Sequence, residues 1–128
     1  MPTPKFSILK RLRSFGFAFN GLKILFKEEH NARIHLLAAV IVVIAGIYFH
    51  ISTLEWLVVV FAIGFVITSE IVNTAIENIA DFVSPEKHEK IKKIKDLAAA
   101  SVLISAITAL IVGLIVFIPK ILSLFQVA

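Results

Sequence analysis

Cysteine is absent from the chain, which rules out disulfides, thiolate metal sites and cysteine nucleophiles together. It also removes any inference about redox compartment. Glycine is scarce: the five glycines are widely separated, and neither G-x-x-x-x-G-K-[ST] nor G-x-G-x-x-G occurs, so no phosphate-cradling loop of either kind is present. Charge is thin as well, at 17% of residues, where soluble domains carry about a quarter. What fills the chain instead is hydrocarbon: 59% of residues are hydrophobic and the mean hydropathy is +0.94. Lipid is the expected solvent. Three membrane spans of about 20 residues each would use nearly half the chain, leaving a single domain with little room for a soluble head. No internal repeat, low-complexity segment or linker breaks it.

The net charge of +4 does not point to nucleic acid, because the basic residues lie in two blocks beside long apolar runs rather than on an aromatic-studded surface. The first block belongs to a helix expected over about 6–28, where Leu9, Leu12, Phe15, Phe19, Leu22 and Phe26 form one stripe. Lys10, Arg13, Lys23 and Lys27 mostly take other faces, the pattern of an amphipathic helix lying along lipid headgroups. A cleaved signal peptide is the rival, but no uninterrupted apolar core precedes a small-residue cleavage site.

Three further helices are expected over 33–50, 54–82 and 86–118, each containing one span. The apolar runs are Leu36 to Phe49, Trp56 to Ser69 and Leu97 to Ile118. Ser84-Pro85-Glu86 has the order of an N-cap, a first-turn proline and a first-turn acid for the last helix, and Pro119 is expected to close it. Lysines and arginines crowd the N-terminal arm and Lys87 to Lys95, whereas the turn from Ser52 to Glu55 carries none. The positive-inside rule therefore puts the N-terminus and the second loop in the cytoplasm and the C-terminus, with its lone Lys120, on the outer side.

The second span continues past its apolar run through Glu70, Asn73, Glu77 and Asp81, spaced by three, four and four residues. On a helix these share nearly one face. A solvated face beyond the membrane edge is the plain alternative. Against it, the intervening Ile71, Val72, Ala75, Ile76, Ile79 and Ala80 are apolar, and no lysine at i+4 balances the acids. Crowded carboxylates invite a divalent cation, and Mg²⁺ suits few carboxylates completed by water and the phosphates of a nucleotide. Glu28 and Glu29 close the arm and Lys95-Asp96 open the last span, so three elements bring polar groups to one level.

Glu29-His30-Asn31-Ala32-Arg33-Ile34-His35, then Glu70-x-x-Asn73-x-x-x-Glu77-x-x-x-Asp81, then Lys95-Asp96, resembles the small bacterial diacylglycerol kinase and undecaprenol kinase family over essentially the whole chain. The resemblance implies an all-α homotrimer in the bacterial inner membrane, with ATP as phosphoryl donor, Mg²⁺ as cofactor and a membrane lipid alcohol as acceptor. It implies Glu70 as general base, Asn73 orienting base or substrate, and Glu29 and Glu77 as metal ligands. Asp81, Lys95 and Asp96 complete the nucleotide side, with Lys95 on phosphate. His35 stands where the diacylglycerol kinases of Gram-negative bacteria tend to carry an acid, and Asn31 to His35 resembles the undecaprenol kinase branch, which leaves the lipid open.

Arg33 and His35 are expected near lipid headgroup or nucleotide, while His30, His50 and His88 are ordinary interfacial histidines. Tyr48 and Trp56 flank the outer turn as depth anchors. Ala98 to Ser101 form a small-residue face for close packing. Two other functions fit parts of the sequence. A proton-coupled transporter would use Glu70 alone and want it near the midplane. A membrane scaffold would tolerate loss of Glu77 and bind no nucleotide. Neither uses the ridge as a set.

Overall fold

The computed structural model describes residues 1–126, which form four helices and no strand: α1 Ile8–Glu28, α2 His30–Tyr48, α3 Thr53–Val83 and α4 Glu89–Gln126. Ser7 caps α1 by accepting from the Lys10 amide at 3.4 Å. A single extended residue, Glu29 (φ −104°, ψ 111°), separates α1 from α2 and makes the elbow between them.

The turn after α2 is a Schellman motif. The Ile51 amide reaches back to the Gly46 carbonyl and the His50 amide to that of Ile47, with His50 left-handed at φ 50°. Ser52 then opens α3 with a capping box, its hydroxyl accepting from the Glu55 amide while the Glu55 carboxylate accepts from the Ser52 amide, both at 3.2 Å. Gly46 is required here by proximity. A Cβ at 46 would lie 2.7 Å from the Trp56 ring, so α2 and α3 touch where their backbones turn. Trp56 therefore packs against the Ile51, Val59 and Val116 cluster besides marking a membrane edge.

Two sequence expectations at the ends of α4 need correction. Ser84 does not cap α4: its amide still bonds the Ala80 carbonyl, so it ends α3, and Pro85 disfavours further helix before it. The start of α4 falls at Glu89, where His88 Nδ1 accepts from the Lys90 amide at 3.1 Å. Pro119 does not close α4 either; the helix continues to Gln126 with the proline inside. The lost backbone bond is offset by tertiary ties on both sides, since Phe117 packs near Phe49 and Lys120 pairs with Glu55 at 2.9 Å.

That ion pair joins the start of α3 to the far part of α4, and Lys95 pairs with Asp81 at the opposite end. The two helices are thus an antiparallel hairpin and the main packing unit. Burial is inverted relative to a water-soluble protein: Phe61, Phe82 and Leu97 are exposed, whereas Glu70, Asn73, Thr74 and Ser105 are buried. The helices α2, α3 and α4 are each long and apolar enough to cross a membrane.

Candidate active site

Glu70 is the most informative side chain in the chain. It is 1% exposed and its Oε1 has no hydrogen-bond donor. His35 of α2 approaches it, Nε2 to Oε1 at 3.3 Å, close enough for an ion pair but not aligned as a hydrogen bond. One turn along α3 the Asn73 side-chain oxygen is also buried and unpartnered. A buried polar group without a partner forfeits its hydration, on the order of 1–3 kcal/mol, so two adjacent ones in an ordered helix indicate a site completed by something else. Thr74 belongs with them: its hydroxyl is buried and unpartnered four residues from Glu70. The sequence reading passed over it, although its i+4 spacing was the available signal.

Glu29, Glu70 and Glu77 lie close enough to interact through their charges. Glu29 occupies the elbow, part-buried, without using its side chain to cap α2. Burial first, then the charges of Glu77 and Glu28, hold its carboxyl above the usual value of 4.5. Glu77 also lies within electrostatic reach of Lys95. Thus Glu29 from the elbow and Glu70 and Glu77 from α3 lie within electrostatic reach of one another, with His35 of α2 against Glu70.

The other expected residues are placed differently. Lys95 is ion-paired with Asp81 across the hairpin. Asp96 turns instead to Lys92 on its own helix, at 2.6 Å, and is exposed. Arg33 turns back onto α1. Its guanidinium donates to the Phe26 carbonyl at 2.6 Å and to that of Lys27, closing the C-terminus of α1. His35 touches Glu70 and lines an apolar cleft of about 390 Å³ between α2, α3 and α4, bordered by Ala39, Val59, Val66 and Gly113. A second cavity, of about 500 Å³, lies at the α3–α4 linker, bounded by Asp81, His88, Lys95 and Asp96.

Among the described residues no three His, Asp or Glu side chains gather into a metal-binding group. Glu29 and Glu77 lie within electrostatic reach of each other, and one or two carboxylates are the protein donors typical of Mg²⁺ carried on nucleotide phosphates, fewer than an all-protein cage would need. The donor set fits that ion.

Residues 16–117 match the prokaryotic diacylglycerol kinase family. The chain belongs to this family. It is 35% identical over 108 residues to an undecaprenol kinase of Bacillus subtilis, covering 84% of this chain and 88% of that protein. It is 37% identical over 114 residues to a diacylglycerol kinase of Synechocystis, covering 88% of this chain and 65% of that one. Identity to a diacylglycerol kinase of Escherichia coli is 27% over 100 residues, covering 78% of this chain. By family the protein is a lipid kinase, and its three apolar helices make it a prokaryotic membrane protein. The matched stretch contains every residue expected in the site, from Glu29 to Asp96.

Proposed function

We propose that this chain transfers the γ-phosphoryl group of ATP to the hydroxyl of a membrane lipid alcohol, diacylglycerol or undecaprenol, at the cytoplasmic edge of the inner membrane. The observation that carries this reading is Glu70, a buried carboxylate whose Oε1 has His35 beside it but accepts no hydrogen bond. A lipid hydroxyl sits at headgroup depth, so a base at that level meets it from the membrane while ATP arrives from water. Glu70 accepts the alcohol proton as the new oxygen–phosphorus bond forms and the bond to the ADP oxygen breaks. Asn73, one turn away, orients the alcohol. Glu29 and Glu77 would hold Mg²⁺, which when bound supplies neutralisation of phosphate charge. Lys95 contacts phosphate, exchanging its Asp81 partner for it, and Asp81 and Asp96 complete the nucleotide side. Phosphoryl transfer demands positioning and charge neutralisation more than covalent chemistry, so a few side chains on rigid helices suffice.

The rest of the molecule fits this setting. Basic residues on α1 and in the α3–α4 linker meet anionic headgroups on the cytoplasmic side, with α1 lying along them. Lys120, the outlying cation, is paired with Glu55. The cleft beside His35 has room for part of a hydrocarbon chain. A homotrimer would enclose the site between subunits. Purified protein in micelles, given ATP labelled at the γ-phosphate and equal amounts of the two lipid alcohols, should label lipid only when Mg²⁺ is present. The ratio of the two products names the substrate. ATP hydrolysis without lipid labelling, or no turnover, would contradict the proposal.

A further inference from the structure

We propose that His35 is the proton outlet of Glu70, a positioning residue that takes the alcohol's proton from the buried carboxyl and hands it to water. The inference rests on the reading of Glu70 as the base. Each turnover leaves one proton on that carboxyl, because the alcohol loses it while ADP departs with the electron pair of the broken bond. Glu70 must shed it before the next alcohol can react. Its side chain is 2% exposed, so water does not reach it directly.

The groups facing Glu70 electrostatically are His35 from α2, Glu29 from the elbow and Glu77 from its own helix. The two carboxylates are assigned to Mg²⁺. His35 is the basic side chain within ion-pair reach, at 3.3 Å, and its own side chain is 24% exposed. It therefore joins an enclosed carboxylate to a partly exposed side chain. Imidazole is suited to the task because it gains and loses a proton near neutral pH. The sequence of transfers is closed: alcohol oxygen to Glu70 Oε1, Glu70 Oε1 to His35 Nε2, His35 to solvent. The imperfect alignment of the His35–Glu70 contact matches a relay that tightens only when substrate is bound. His35 follows Glu29 by six positions, less than two helical turns from the elbow.

A merely orienting histidine and a proton-carrying one make different predictions. Glutamine at 35 keeps a donor of similar reach and cannot carry a proton. In full-length protein in micelles, His35→Gln should lower kcat by on the order of 10²-fold while KM for ATP stays within about twofold of wild type. His35→Ala opens space beside the cleft, and added imidazole should restore most of its turnover. Imidazole should do nothing for Glu70→Gln. Wild-type kcat in His35→Gln, or a His35→Ala deficit that imidazole leaves unchanged, overturns the relay. If Glu70→Gln is inactive in the same assay, the base stands without its outlet. If Glu70→Gln turns over normally, the base reading fails and the relay falls with it.

Discussion

Glu29 shows how a single residue can be unsatisfied on its own and useful with a ligand. Its carboxyl is held above the ordinary value by burial, by Glu77 and by Glu28. A carboxyl raised in the folded state binds its proton more tightly folded than unfolded, so its ionised form weakens the fold at neutral pH. That cost is relieved as pH falls through the raised value towards 4.5. Without Mg²⁺, Glu29→Gln should therefore unfold at a higher temperature than wild type near pH 7. The gap should narrow on acidification, and narrow again when Mg²⁺ and ATP bind and supply counter-charge. Thermal unfolding followed by helical circular dichroism from pH 7 downwards checks this; a gap independent of pH would mean that Glu29 carries no such strain. The same variant should need more Mg²⁺ for activity.

At the scale of elements, the elbow between α1 and α2 decides where Glu29 points, and Arg33 fixes the elbow. Its guanidinium closes two carbonyls at the end of α1 that have no helical partner of their own. Hydrogen bonds from a charged donor are worth roughly 1.5–3 kcal/mol. Arg33→Ala should loosen α1, raise protease cleavage between Lys27 and Asn31, and lower activity without abolishing it. Arg33→Lys should recover only part, since an ammonium cannot reproduce the two-pronged geometry. Equal protease resistance in all three proteins would argue against the clamp. Such contacts were not legible in the sequence, because they depend on the elbow angle and on which way a long side chain folds. Long apolar runs made the three spans plain, and the spacing from Glu70 to Asp81 made the ridge plain. Helix ends were harder. Ser84-Pro85-Glu86 carries the residues of a start but sits where the chain is still leaving α3, and Pro119 carries the residue of a stop inside a helix supported from both sides. The capping box at Ser52 needed only its three-residue spacing to Glu55, and was overlooked.

At the scale of the whole molecule, the distribution of charge predicts the direction in which the hairpin crosses the membrane. Basic residues cluster on α1 and at the α3–α4 linker, while the α2–α3 turn has none and Lys120 is paired. The chain has no cysteine, so single cysteines can report topology without background. In intact cells a membrane-impermeant maleimide should label Thr53→Cys at once and Lys87→Cys only after permeabilisation; the reverse order would invert the assignment. Orientation matters because ATP is available on one side, and the ridge must open there.

All of this converges on one carboxylate. The most direct measurement compares Glu70→Gln with wild type, both purified in micelles and matched in helical content, for transfer of labelled γ-phosphate to a lipid alcohol. The account predicts a loss of about 10²-fold or more, as expected when a general base is removed. Turnover of Glu70→Gln at the wild-type rate would contradict it.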